Sequence, residues 1–204
     1  MRYSEIYTQI NEGANTRCIV VDVQPQYTSK VNWVPNMLEW LNRQGSVLAF
    51  VNAETTGLTL DTVDDIKDYW EENGYDPNRW QDTTIVDKGY GYLRGWMDGG
   101  AEPRAIIRTI REMYAQHVSD SRELYGGEDD PQYNTNMQKL LGADWEEWMR
   151  DDAISVEWTS VAQLKRWSGA YITGGARNEC LREVQLLMNA FNIRYRVIDR
   201  WVYG

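Results

Sequence analysis

Apolar residues fall along this chain in two rhythms that take turns. Continuous runs of β-branched and apolar residues predict buried strands at 18–23, 46–51, 83–86, 170–173 and 195–198. Between them, apolar positions recur at helical spacing. Val34, Met37, Leu38 and Leu41 mark a helix from Trp33 to Asn42, and Gly45 stops it. Val63, Ile66, Tyr69 and Trp70 mark a second helix, which Asp61 is placed to cap. Pro103 suits the first turn of a third, running to about Gln116 with Ile106, Ile107, Ile110, Met113 and Tyr114 buried. Ser160 reads as the cap of a helix carrying Val161, Leu164 and Trp167. The last unit has the plainest pattern: strand 170–173, a Gly174-Gly175 turn, a helix over 178–191, then strand Tyr195 to Ile198. Leu181, Val184, Leu187, Met188 and Phe191 repeat along that helix every 3.6 residues or so.

Strands alternating with helices predict an α/β fold, three layers α/β/α around a mostly parallel central sheet with Rossmann-like winding. Other segments fit the alternation less well. Residues 1–17 read as a short helix or as an arm over the domain, and 52–57 as a polar loop. Gly89, Gly91 and Gly95 make Lys88 to Trp96 poor helix material. Residues 118–143 look irregular, with a brief helical stretch from Met137 to Leu141. Trp145, Trp148 and Met149 suggest another short helix, and Ile154 to Trp158 an extended piece. The 204 residues are expected to form one domain, with about 115–155 as an insertion or lid.

Charge narrows the list of partners. Lys and Arg number 21 against 31 Asp and Glu, a formal net charge of −10, which argues against a broad nucleic-acid-binding surface. No apolar run approaches the length of a membrane-spanning helix, and no basic-then-apolar leader opens the chain, so a cytoplasmic location is the default expectation. Cys18, inside a strand, and Cys180, at a helix start, make neither a disulfide framework nor a CxxC site. Cys18 reads as a small core residue. His117 is the sole histidine, which removes any His-rich zinc centre. Phosphate-loop and dinucleotide fingerprints are missing, and Asp61, Asp64, Asp65 and Asp68 fit a solvated helix face better than a calcium loop.

Three chemically active residues stand where predicted strands end. Asp22 closes the run Cys18-Ile19-Val20-Val21, Lys88 follows Thr84-Ile85-Val86-Asp87, and Cys180 lies just past Gly174-Gly175. An acid, a cation and a thiol at one sheet edge suit a cysteine nucleophile. With these placed, the chain resembles the isochorismatase-like cysteine hydrolases, the superfamily that contains nicotinamidases and related amidases. The segments that carry the resemblance are Ile19-Val20-Val21-Asp22-Val23-Gln24-Pro25-Gln26-Tyr27 and Tyr171-Ile172-Thr173-Gly174-Gly175-Ala176-Arg177-Asn178-Glu179-Cys180. Lys88 corresponds to the family lysine. The stretch between Lys88 and Cys180 is longer than is usual in the family, and no histidine near Asp22 replaces the nicotinamidase metal ligands.

The resemblance implies a metal-independent, cofactor-free hydrolase acting on a small amide or related C–N bond through a thioester. Asp22 accepts the thiol proton and later delivers it to the leaving nitrogen, Lys88 supplies positive charge, and the amides of Ala176 and Cys180 hold the oxyanion. It also implies a cis peptide in the stretch 175–177 and a homo-oligomer, with which the ten Trp and thirteen Tyr agree. Gln24, Asn52, Tyr90 and Arg177 are the candidate substrate contacts. Loop solvation for Gln24 and Asn52, and pairing of Arg177 with Glu179 or Glu183, explain these residues as well. Tyr90, Tyr92 and Trp96 either wall a planar substrate or pack beneath a loop. Two other readings stay open: a catalytically inactive binding or assembly protein on the same fold, and a metal-dependent nuclease or phosphatase using Asp22, Asp87 and Asp199.

Overall fold

A computed structural model describes residues 16–52, 61–88, 90–91, 93–98, 100–124 and 154–204, with isolated positions between 132 and 139. In chain order the described elements begin β1 (Cys18–Val21), α1 (Pro25–Thr28), α2 (Val34–Leu41), β2 (Val47–Val51) and α3 (Val63–Glu72). A 3-10 turn (Pro77–Asp82), β3 (Thr83–Asp87), β4 (Tyr90–Gly91), α4 (Leu93–Asp98), α5 (Pro103–Gln116) and α6 (Ser121–Leu124) follow. The chain then runs through β5 (Ser155–Val156), α7 (Trp158–Arg166), β6 (Ala170–Gly174), α8 (Cys180–Ala190) and β7 (Tyr195–Val197) to a last 3-10 turn (Asp199–Trp201).

Five strands form one parallel sheet in the order β3-β2-β1-β6-β7. The unbroken apolar run of β1 follows from its central place, because both faces are covered. Ile19 and Val21 belong to the core shared with α4, α5, α7 and α8. Cys18 and Val20 face the core formed with α2 and α3. The result is the three-layer α/β/α arrangement. The chain leaves β1 toward β2 on one side, while β6 and β7 lie on the other. That makes the carboxyl ends of β1 and β6 the topological switch point, where doubly wound sheets open a crevice.

Several local expectations shift. Thr62, not Asp61, caps α3: its hydroxyl accepts from the Asp65 amide and the Asp65 carboxylate accepts from the Thr62 amide. Asp61 instead accepts from Gln24 Nε2 and the Gln26 amide. Ser160 does not cap α7 but lies inside it, and its hydroxyl donates to the Asp87 carbonyl at 3.0 Å. The glycine-rich stretch holds β4 and α4. There Trp96 is fully buried and anchors core packing, so the packed alternative holds for it. The extended piece at 154–158 contributes β5, which pairs antiparallel with β4.

Ser121 and Ile154 clasp each other through two hydrogen bonds, and Val156 donates to Ser119. The chain therefore departs after α6 and returns at β5 through adjacent points. Gln138 and Lys139 of the helical stretch expected at 137–141 are helical, while the rest of that stretch, the helix expected around Trp145 and residues 1–15 of the arm expected at 1–17 lie outside the described residues.

Candidate active site

Asp22 stands immediately beyond β1 with φ 47°, a left-handed backbone that few non-glycine residues adopt. Its surroundings hold that conformation. The Asp22 amide donates to Phe50 O, and Trp70 Nε1 donates to Val23 O at 2.7 Å, fixing the chain on both sides. From the next strand, Gly175 donates its amide to Val21 O. A Cβ at Gly174, φ 81°, would come within 2.4 Å of that same carbonyl oxygen, so the two strand ends can approach this closely only with glycine. Asp22 is wholly buried.

Lys88 follows β3 and reaches back across β2. Its amide donates to Val51 O, and Ser160 in α7 grips the preceding Asp87 carbonyl. The ammonium donates to Asp22 Oδ2 at 2.5 Å, an ion pair with 6% and 0% of its two side chains exposed. Burial works against the Lys88 charge. The Asp22 carboxylate, with smaller help from Cys180 and Glu183, outweighs it and holds the ammonium above the usual lysine range. The other carboxylate oxygen, Oδ1, is buried and makes no hydrogen bond among the described residues. An orphaned acceptor in the switch-point crevice is costly unless something brings it a proton.

Cys180 is the first residue of α8 and is half-buried. The Ala176 carbonyl accepts from the amides of both Glu179 and Leu181, which folds the 174–180 loop back over the end of β6. Burial pushes the Cys180 thiol up to about 12, the neighbouring Asp22 carboxylate pushes the same way, and Lys88 opposes them. The thiol thus lies in the field of the ion pair without reaching conventional hydrogen-bond geometry with Oδ1. The amides of Ala176 and Cys180 make no hydrogen bond among the described residues. Cys18 lies at the opposite end of β1, roughly 13 Å along an extended strand. Burial alone raises its thiol, also to about 12.

The expected cis peptide at 175–177 is corrected: no cis bond occurs among the described residues. None of these residues is proline, and a non-proline cis bond costs about 3 kcal/mol. Positive φ at Gly174 and Gly175 turns the chain instead.

Gln24 is buried, and its side-chain amide donates to Asn52 O and Asp61 while accepting from the Asn52 amide. Asn52 Nδ2 in turn donates to Tyr27 Oη at 3.3 Å. Both polar side chains tie loops together at the sheet edge. Arg177 is exposed and pairs with Asp199 at 2.8 Å, rather than with Glu179 or Glu183. Tyr90 lies in β4, and its side chain, like the whole of Tyr92, falls outside the described residues.

Two residues join the site without a sequence signal strong enough to nominate them. Glu183, one helical turn beyond Cys180, is 8% exposed, and its charge is felt by both Lys88 and Cys180. Its burial follows from the helical period, which puts it on the face of Cys180. Tyr203, in the segment after the last 3-10 turn, bridges Ala176 in the loop that leads to Cys180. Among the described residues no cluster of three or more His, Cys, Asp or Glu could hold a metal. Nor is any described helix long and apolar enough to cross a membrane.

The buried Asp22–Lys88 pair and the nearby thiol are consistent with a triad-like catalytic arrangement on a Rossmann-like α/β fold. No protein-family model, curated protein or solved structure matches the chain.

Proposed function

We propose that the chain is a cysteine-dependent hydrolase of the isochorismatase-like kind, acting on a small amide or related C–N bond. The observation that carries this reading is the Asp22 carboxylate: one oxygen pairs with buried Lys88, the other makes no hydrogen bond among the described residues, and the Cys180 thiol lies in its field. A thiol kept protonated at rest needs a base, and Asp22 Oδ1 is that base. As sulfur attacks the substrate carbonyl, its proton passes to Oδ1 and the carbonyl electrons move onto oxygen, facing the Ala176 and Cys180 amides. Collapse of the tetrahedral species breaks the C–N bond, and Asp22 returns the proton to the departing nitrogen. Water then hydrolyses the thioester and releases the thiol. Lys88 pairs with the Asp22 carboxylate and limits the cost of a negative sulfur. Gln24, Asn52, Tyr90 and Arg177 remain the proposed substrate contacts, and residues of the segment 115–155 a proposed cover over the site. The family resemblance also proposes a homo-oligomer, which sedimentation velocity measures.

The test is a panel of small primary amides and related C–N substrates with wild type and Cys180→Ala. Wild type is expected to turn over at least one of them and to accumulate an acyl adduct on Cys180 visible by intact-mass spectrometry, with both lost in the variant. Turnover that survives in Cys180→Ala contradicts the mechanism. The high position of the thiol favours a second reading, a binding or assembly protein that keeps the fold without the chemistry. A panel without turnover, together with saturable ligand binding that Cys180→Ala leaves intact, supports that alternative.

A further inference from the structure

The chain does not end at the last strand. Thr173, buried in β6, donates its hydroxyl to the carbonyls of Ile198 and Trp201, so the segment after β7 is drawn back over the sheet. It then runs alongside the loop that leads to Cys180. Ala176 and Tyr203 form a parallel bridge, and the Arg177 amide donates to Tyr203 O at 2.8 Å. Gly204 lies so near that a Cβ there would meet Ala176 Cβ at 3.2 Å. The Tyr203 ring leans on Trp33 with centroids 6.2 Å apart.

The Tyr203 phenol is half-buried, and its hydroxyl makes no hydrogen bond among the described residues. Burial raises its pKa, and Asp22, Cys180, Tyr27 and Glu179 add to the rise in that order, so the group stays a neutral donor. The two strongest of those charges belong to the site, which puts the phenol within its field.

Resting on the hydrolase reading above, we propose that Tyr203 is a substrate-orienting residue of the same site. Its hydroxyl, unbonded among the described residues, donates to the carbonyl oxygen of the bound substrate. The segment after β7 thereby supplies one wall of the site, and its backbone bridge holds the loop that carries the Ala176 amide.

Iodoacetamide and methyl methanethiosulfonate make a paired probe, because both modify a thiol but only the first carries an amide. Their rates at Cys180 are measured by peptide mass spectrometry in wild type and Tyr203→Phe, across pH 7 to 10. The groups whose charges act on the thiol (Asp22, Lys88 and Glu183) are unchanged between the two proteins. Tyr203→Phe keeps the ring on Trp33 and the backbone bridge. It is expected to slow iodoacetamide by about fivefold, the equivalent of one hydrogen bond, while the thiosulfonate rate stays within about twofold. Equal slowing of both reagents, or none, overturns the orienting role and leaves the hydrolase reading standing. A Cys180 that reacts with neither reagent up to pH 10 overturns both.

Discussion

At the scale of single residues, the site rests on how Asp22 divides its two oxygens. Removing its charge strands the Lys88 ammonium in a buried place, and breaking such a pair by deleting one partner costs about 3 kcal/mol. Asn tolerates the left-handed backbone nearly as well as Asp, so Asp22→Asn isolates the charge from the strain. Urea unfolding of Asp22→Asn is therefore expected to show a loss of about that size. A variant as stable as wild type removes the claim that the pair is buried and compensated.

Cys180 behaves differently from a thiol poised by positive charge. Held up to about 12, it stays protonated through neutral pH, so its alkylation is expected to be slow at pH 7.5 and still rising at pH 10. A plateau below pH 8 contradicts this.

At the scale of elements, the site depends on glycine at the β6 turn and on α7 holding the end of β3. Gly174→Ala places a methyl against Val21 O at 2.4 Å in a backbone region that alanine avoids. The expected loss is about 3 kcal/mol or more, read from the thermal midpoint. A change within about 0.5 kcal/mol shows that the strand ends are free to part.

The elements themselves were largely legible, because a sheet covered on both faces writes unbroken apolar runs and its helices write a 3.6-residue period. Pro103 and Gln116 bound α5 as the pattern predicts. What pattern reading missed depends on distant contacts. Ser160 looks like a cap in sequence, but its hydroxyl bonds a carbonyl 73 residues away. Two-residue strands such as β4 and β5 are defined by partners distant in sequence and carry no period of their own. Asp22 and Lys88 were visible because they follow strands of one sheet. Tyr203 was not, because nothing local says that the segment after β7 folds back beside the Ala176 loop.

At the scale of the whole molecule, two thiols titrate late and tie stability to pH. Cys18 and Cys180 are both raised from 9.0 to about 12. In the unfolded chain they lose their protons near the ordinary value, while the folded protein retains them. Their contribution is therefore complete below about pH 9 and is lost as pH climbs toward 12. Cys18 is the cleaner probe, since burial alone shifts it and it stands away from the site. Cys18→Ala is expected to flatten the fall in stability between pH 9 and pH 12 by up to about 4 kcal/mol. Denaturant midpoints collected across that range check it, and parallel curves for the two proteins contradict it.

The claim on which the function depends is that Asp22, Lys88 and Cys180 act on one another as a single charged unit. The pH-dependent rate of Cys180 alkylation in wild type, Asp22→Asn and Lys88→Met measures this. Removing the carboxylate should move the thiol's pKa, read from the profile, downward, whereas removing the ammonium should move it upward. Opposite shifts of the two profiles are the predicted result. Three superimposable profiles would contradict the account.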